Sequence, residues 1–172
     1  YEYEFVDSKF YGTPYEENEF ISKEGVKDYM KSIAKHPPRD YQIEGVYDAL
    51  KHNRRLLISP TASGKSLMIY SLVRYYVDKG EKILLVVPTT SLVEQMYKDF
   101  EEYGWMASEY CHKIYAGQEK YTKHQVVITT WQSIYKEPRK WFDRFDVVIG
   151  DEAHLFKAKS LTSLMGKLHE CK

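Results

Sequence analysis

The stretch RLLISPTASGKSLMIYSL, residues 55–72, decides the fold of this chain. Its apolar start leads into the turn PTASGKS, residues 60–66, and a helical pattern then continues to Asp78. A strand, a Gly-Lys-Ser turn and a helix in this order are typical of a phosphate-binding loop. The strict motif has Gly where Ser59 stands, so an ordinary turn that opens a helix is the competing interpretation.

Each residue type in this turn suits triphosphate binding. Gly64 lets the backbone approach a ligand because it has no Cβ. Lys65 would place its ammonium between the β- and γ-phosphates, and Ser66 would offer its hydroxyl to Mg²⁺. Backbone N–H groups of the loop and of the helix N-terminus would hold the phosphates. The loop residues concerned are Thr61, Ala62 and Ser63.

A second motif, VVIGDEAH at residues 147–154, runs from an apolar strand into two acids. Ligands of open α/β sheets bind at the carboxyl ends of the strands, where these acids lie. We expect Asp151 to hold Mg²⁺ and Glu152 to polarise the water that attacks the γ-phosphate. His154 would contact the phosphate region or a neighbouring loop. Two solvated acids in a polar turn are the alternative, which a phosphate loop upstream disfavours.

The chain alternates apolar strands with helices from residue 39 onward. Strands without polar alternation are buried on both faces, which predicts an α/β fold with a parallel sheet between helices. The predicted strands are 55–59, 82–87, 110–115, 125–129 and 145–149, and the predicted helices are 41–50, 65–78 and 90–103. A polar turn and a further helix are predicted to follow the strand 145–149.

Residues 1–36 read as a separate region. Residues 1–6 alternate like a strand, and Ser22 is predicted to cap a helix that ends at Ile33. The run His-Pro-Pro at residues 36–38 would stop that helix and connect it to the rest.

Composition describes an ordinary globular protein of 172 residues with formal net charge +0. A net charge of zero gives no electrostatic indication of a nucleic-acid partner. Cys111 and Cys171 are far apart, as expected of two reduced intracellular thiols. No apolar run reaches the ~20 residues of a membrane span, and no signal peptide is visible. The chain begins with Tyr1, and we expect it to be a piece of a longer protein.

Five motifs in order resemble those of superfamily 2 helicases. PTASGKS is similar to motif I, although Ala62 replaces a usual Gly, and DEAH at 151–154 is similar to motif II. The other three resemble motif Ia, the T-T-x-Q-S motif and the adenine-recognising R-x-Y-Q element. They are VPTTSLVEQ at 87–95, VITTWQS at 127–133 and RDYQ at 39–42.

The resemblance implies a RecA-like P-loop NTPase domain that is incomplete at its C-terminus. Residues 37–172 would form the first RecA-like domain, truncated after motif II, and residues 1–36 an extension or the remnant of an accessory domain. The motif III strand and a second domain with arginine fingers would be missing. We therefore expect negligible ATPase activity from the isolated chain, and further chain or another segment to fill the gap in the sheet.

The resemblance also assigns roles to residues outside the two phosphate motifs. Gln42 would hydrogen-bond adenine, with Tyr41 and Arg39 beside the base or the phosphates; a helix start with a buried Tyr is the alternative. The two strand-to-helix turns would bind backbone phosphates through hydroxyls and helix N–H groups, without a lysine patch. Plain helix capping is their alternative. The turn residues are Thr89, Thr90, Ser91, Thr129, Thr130, Gln132 and Ser133, and between them Trp131 is expected to fill the core rather than stack on a base.

The segments TTWQS, EPRKWF and KSLTSLMGKL are similar to recombination helicases of T-even bacteriophages. That resemblance implies an ATP- and Mg²⁺-dependent motor that unwinds branched DNA or RNA–DNA hybrids and drives branch migration. It would act as a monomer in the host cytoplasm. Three alternatives stay open: the motor subunit of a restriction system, a P-loop NTPase without translocation, and a module that only binds DNA.

Overall fold

The chain folds into two compact units, residues 1–74 and residues 75–171. A computed structural model describes the residues 5–7, 18–53, 55–57, 64–152, 163 and 166–168.

The first unit contains a two-stranded antiparallel sheet and helices. Strand β1, Phe5–Asp7, pairs with strand β2, Arg55–Leu57. Helix α1 is Lys23–Ile33 and helix α2 is Asp40–His52. Helix α3, Lys65–Asp78, begins here and has the bounds that the sequence predicted.

Helix α1 is the predicted capped helix. The Ser22 hydroxyl accepts a hydrogen bond from the Gly25 N–H at 3.1 Å, which satisfies one of the N–H groups that a helix start leaves unpaired. Val26 and Met30, four residues apart on one face, are buried. The apolar spacing and the cap residue therefore predicted this element correctly.

The second unit contains a parallel sheet with the order β4-β5-β3-β6. Strand β3 is Ile83–Val87, β4 is Cys111–Ile114, β5 is Val126–Thr130 and β6 is Val147–Gly150. The helices are α4, Thr90–Glu102, and three single-turn helices: α5, Ala107–Tyr110, α6, Trp131–Ile134, and α7, Arg139–Phe142.

Strand β3 lies inside this sheet and pairs in parallel with β5 on one side and β6 on the other. All five of its residues have no exposed surface, as expected for a strand of a parallel sheet covered on both faces. Burial of this kind stabilises by about 1.5–3 kcal/mol for each large aliphatic side chain. The predicted parallel sheet is confirmed for β3, β4, β5 and β6. The predicted strand 55–59, described over Arg55–Leu57 as β2, pairs instead with β1 in an antiparallel sheet, because pairing partners leave no signal in the strand's own sequence.

An aromatic cluster fills one part of the second unit's core. Trp131, Trp141, Phe142 and Phe145 pack with aliphatic residues of the sheet, and Trp141 meets Phe142 edge to face at 5.0 Å between ring centroids. Trp131 is 7% exposed, so the prediction that it fills the core is confirmed.

The sequence missed the single-turn helices α5, α6 and α7, because four residues are too few to show a helical period. Of the part of the chain where a helix is predicted after the DEAH motif, the structure describes Ser163 and residues 166–168, and Ser163, Gly166 and Lys167 are helical. Among the residues that the structure describes, no helix is both long and apolar enough to cross a membrane.

Candidate functional site

Four segments meet at one edge of the second unit's sheet. Because β3, β4, β5 and β6 are parallel, the segments that follow them leave from the same carboxyl edge. Residues 88–91 follow β3, residues 115–118 follow β4, and residues 131–133 follow β5. The acids of the DEAH motif follow β6. The structure thus brings motif Ia, the T-T-x-Q-S turn and the carboxylate pair to a single edge.

The carboxylate pair is tied to the central strand. The Asp151 N–H donates to the Val86 carbonyl at 2.9 Å, and Asp151 is only 6% exposed. Glu152 adopts φ 53°, in the left-handed region that costs a residue with a side chain about 1–3 kcal/mol. Such strain is found at functional turns, where it aims a side chain that relaxed backbone would direct elsewhere. His154 lies outside the described residues.

A cavity of about 480 Å³ opens between three of the four segments. One wall comes from motif Ia and a second from the T-T-x-Q-S turn, so the two turns that the sequence assigned to nucleic acid face the same space. The third wall follows β4. The lining residues are Pro88, Thr89, Thr90, Ile114, Tyr115, Ala116, Gly117, Gln118, Lys120, Thr130, Gln132 and Ser133.

Several predicted DNA-binding hydroxyls bond to neighbours within the protein. The Thr89 hydroxyl accepts the Leu92 N–H at 3.2 Å and so caps helix α4. The hydroxyls of Thr130 and Ser133 bond each other at 2.8 Å. The capping interpretation therefore holds for Thr89, whereas Thr130, the N-cap residue of α6, makes no side-chain cap hydrogen bond. All three residues also line the cavity.

Two of the seven predicted DNA-binding residues do not line the cavity. Thr129 is fully buried, and its hydroxyl donates to the Ile114 carbonyl at 2.9 Å. This hydrogen bond links β5 to β4. The Thr129 side chain lies within the sheet's core, whereas a DNA-binding side chain would have to extend beyond the strand end. Ser91 is exposed on helix α4.

Helix α4 is anchored to β4 by a polar cluster. Glu94 accepts hydrogen bonds from the Tyr115 hydroxyl and, at 2.9 Å, from the Lys113 ammonium. The Lys113 ammonium also lies 4.4 Å from the centre of the Tyr97 ring. The bonds from Tyr115 and Lys113 hold the pKa of the Glu94 carboxyl below its usual range.

In the first unit the predicted adenine residues form one cluster with the end of the phosphate loop. The Gln42 side chain accepts from the Arg39 N–H at 2.8 Å and donates to the Gly64 carbonyl at 3.1 Å. The Arg39 guanidinium donates to the Tyr41 hydroxyl at 3.3 Å. Gln42 is 4% exposed, so its amide is held in place between these two segments.

Gly64 is required by this cluster. Its φ is 76°, and a Cβ there would lie 2.2 Å from the Gln42 amide nitrogen. A side chain at this position would therefore displace the Gln42 amide as well as strain the backbone. Lys65 and Ser66 begin the 14-residue helix α3, whose first-turn N–H groups favour an anion. This chemistry fits a magnesium nucleotide. Thr61, Ala62 and Ser63 lie outside the described residues, and convergence of Lys65 with Asp151 stays a prediction.

The wall after β4 was missed by the sequence analysis. Residues 115–118 and Lys120 line the cavity, but no motif marked them. The available signal was positional: strand β4 ends at Ile114 and is followed by Tyr-Ala-Gly-Gln at 115–118, with Gly117 at φ 85°. A turn after a parallel strand must lie at the ligand-binding edge once the strand's neighbours are known.

The chain matches the family described as "Type III restriction enzyme, res subunit" over residues 35–171, and it belongs to that family. The resemblance to superfamily 2 helicases, drawn from five motifs, is confirmed by this match and by the relatives below.

One relative is the ATP-dependent DNA helicase UvsW of Enterobacteria phage T4, 38% identical over 159 residues, which are 90% of this chain and 31% of UvsW. Another is the DNA 3′-5′ translocase XPB2 of Sulfurisphaera tokodaii, 31% identical over 76% of this chain and 28% of that protein. The chain spans about a third or less of these relatives.

A crystal structure of phage T4 UvsW superimposes on this fold with a TM-score of 0.82 at 34% identity. It covers 91% of this chain and 59% of that one. The predicted α/β, RecA-like fold class is confirmed.

Proposed function

We propose that this chain is the ATP-binding part of a DNA helicase or translocase that couples ATP hydrolysis to movement along DNA. The observation that carries the proposal is the shared sheet edge. The carboxylate pair after β6 and the two predicted DNA-binding turns after β3 and β5 leave from neighbouring parallel strands. A change in the position of the acids on nucleotide binding or hydrolysis would therefore move strand β3, whose backbone continues into the proposed DNA contact of motif Ia.

The nucleotide would be held by residues of both motifs. Gln42, with Arg39 and Tyr41 beside it, would select adenine. Lys65 would meet the β- and γ-phosphates with the loop N–H groups of residues 61–64. Ser66 and Asp151 would hold Mg²⁺, which neutralises phosphate charge when bound.

Glu152 would orient and polarise the water that attacks the γ-phosphate. Its carboxylate is placed by a strained turn directly after a strand whose register is fixed by β3. His154 would contact the phosphate region. A second domain would supply the arginines that stabilise transition-state charge, as the family resemblance implies.

The DNA grip is sequence-independent in this proposal. The cavity residues of motif Ia and the T-T-x-Q-S turn would bind backbone phosphates, which are the same for every base sequence. Val86 connects the two activities, because its carbonyl accepts the Asp151 N–H and its strand ends one residue later in motif Ia. Branch migration and unwinding of branched DNA or RNA–DNA hybrids are the activities that a likeness to UvsW suggests.

The test is the ATPase activity of the complete protein with single-stranded, duplex and forked DNA and with an RNA–DNA hybrid. We expect stimulation by DNA, and most by the branched substrate. ATP hydrolysis that no polynucleotide stimulates would favour the NTPase without translocation.

The motor of a restriction system is a second candidate, favoured by the description of the family to which the chain belongs. Cleavage of duplex DNA by the complete protein, with ATP and Mg²⁺ present, distinguishes the two. The helicase proposal expects strand separation without cleavage.

A further inference from the structure

The cavity at the sheet edge is lined mainly by small, neutral or hydroxyl-bearing residues. Lys120 is the single charged residue among the described residues of its lining. DNA carries one negative charge per phosphate, and cations that neutralise those charges supply most of sequence-independent affinity. Any strong electrostatic contact that this cavity makes with DNA therefore falls on Lys120.

The backbone of Lys120 is fixed to the aromatic core. Its carbonyl accepts the indole N–H of Trp141 at 2.9 Å and a guanidinium N–H of Arg144 at 3.3 Å. Trp141 is 1% exposed, and Arg144 lies 4.9 Å from the centre of its ring. The backbone of Lys120 is therefore held in place, while its side chain is 40% exposed.

Glu137 holds the ammonium of Lys120. The Nζ to Oε1 distance is 2.6 Å, and the Glu137 side chain is only 15% exposed. Glu137 follows helix α6, with its N–H donating to the Ile134 carbonyl at 2.9 Å and its carbonyl accepting from Lys167 at 3.1 Å. The ion pair thus joins the wall after β4 to the wall that begins with the T-T-x-Q-S turn.

We propose that Lys120 is the cationic phosphate contact of this cavity and that Glu137 is its positioning residue. The inference rests on the proposed DNA-translocating function. An ammonium has three N–H donors, and Glu137 accepts one of them, so a phosphate oxygen accepts another. The hydroxyls of Thr89, Thr130 and Ser133 are neutral and each bonds within the protein, whereas the Lys120 ammonium is the charged donor among the described lining residues.

The carboxylate also limits the strength of this contact. A unit negative charge beside the ammonium opposes an incoming phosphate while it orients the lysine. A protein that moves along DNA must release each phosphate in turn, so a tempered contact suits it better than a bare lysine.

The test measures DNA affinity of the complete protein against salt concentration for the wild type and for Lys120→Gln. A plot of log affinity against log salt concentration has a negative slope. Removing one phosphate contact makes that slope less steep by about 0.7 for single-stranded DNA and 0.9 for duplex. Lys120→Arg keeps the charge and should retain the wild-type slope. Lys123→Gln, an exposed lysine outside the cavity, is the matched control and should also leave the slope unchanged.

Glu137→Gln provides the second arm. Gln keeps an oxygen that accepts from the ammonium and so still orients Lys120, but it removes the opposing charge. DNA affinity should therefore rise about threefold at low salt, the scale of one unit charge a few ångströms away in water. This arm carries the test if Lys120→Gln does not fold, and unchanged or weaker binding by Glu137→Gln then overturns the inference.

The two proposals fail in different ways. A wild-type protein that binds no DNA sinks the proposed function. A wild type that binds DNA, with the same salt slope in Lys120→Gln, sinks only the role of Lys120.

Discussion

In the first unit the predicted adenine residue Gln42 hydrogen-bonds the residue before helix α3, whose start is predicted to bind phosphate. In the second unit three of the predicted DNA-binding hydroxyls, those of Thr89, Thr130 and Ser133, bond within their own turns. Motif residues of the first unit join two sequence elements into one site. Those of the second unit shape a cavity whose charged residue, Lys120, belongs to no motif. Motif positions thus mark where a site lies, but the tertiary structure decides which atoms remain for the ligand.

The largest expected effect separates chemistry from binding. Glu152→Gln keeps the size of the side chain and removes the base, so kcat for ATP should fall about 10²–10⁴-fold while ATP affinity is spared. Steady-state ATPase and equilibrium binding of labelled ATP by the complete protein check this.

Asp143→Asn, an exposed acid at the end of α7, is the control for Glu152→Gln and should leave turnover unchanged. A Glu152→Gln protein that hydrolyses ATP at the wild-type rate would contradict the role given to that carboxylate.

The next prediction tests the contact between Gln42 and Gly64 in the first unit. Gly64→Ala and Gly80→Ala both place a side chain at φ 76°, which should cost each about 1–3 kcal/mol of stability. Only Gly64→Ala also meets the Gln42 amide, at 2.2 Å, whereas nothing lies within 4 Å of a Cβ at Gly80. Displacing Gln42 should cost about a further 1 kcal/mol per hydrogen bond lost and should weaken ATP binding selectively.

Thermal unfolding and ATP binding of the two glycine variants, measured side by side, decide this point. Equal losses of stability and of ATP affinity in both would mean that contact with Gln42 is of no consequence.

A smaller effect is expected from the contrast between a buried polar residue near the cavity, Thr129, and an exposed one that lines it, Gln132. Thr129→Val removes a buried hydroxyl that donates to the Ile114 carbonyl, so it should lower stability by about 1–3 kcal/mol and spare DNA affinity once folded. Gln132→Ala changes an exposed lining residue, so stability should stay within about 0.5 kcal/mol while DNA binding weakens. Melting temperature and DNA titration of both variants measure the contrast, and the reverse pattern would overturn it.

The smallest effect concerns the anchor of helix α4. The pKa of the Glu94 carboxyl is lowered by the Tyr115 and Lys113 hydrogen bonds, so its contribution to stability is present above the ordinary glutamate pKa of about 4.3. That contribution is lost as pH falls through the lowered value. The stability difference between wild type and Glu94→Gln should therefore be present at pH 7 and vanish in acid.

Glu102→Gln, an exposed acid at the end of the same helix, is the control for Glu94→Gln. Denaturant unfolding over a pH series gives the readout. A stability difference for Glu94→Gln that persists below the glutamate range would assign its effect to packing rather than charge.

Most of the fold followed from local patterns. The spacing of apolar residues and the cap at Ser22 predicted α1, and an uninterrupted apolar run predicted β3 as a strand buried on both faces. These succeeded because burial on one helix face or on both strand faces leaves a period in the sequence. The single-turn helices left no such period. Thr129 appeared among the DNA-binding residues because a motif match does not tell inward from outward side chains.

The sequence by itself determined the class of fold, the order of its elements and the positions of the two phosphate motifs, since each is written in residues adjacent in the chain. The tertiary structure alone decided that the turns after β4, β5 and β3 enclose one cavity and that Lys120 meets Glu137 there. Strand order is a property of pairing between distant segments, so residues that converge at a sheet edge carry no local signature.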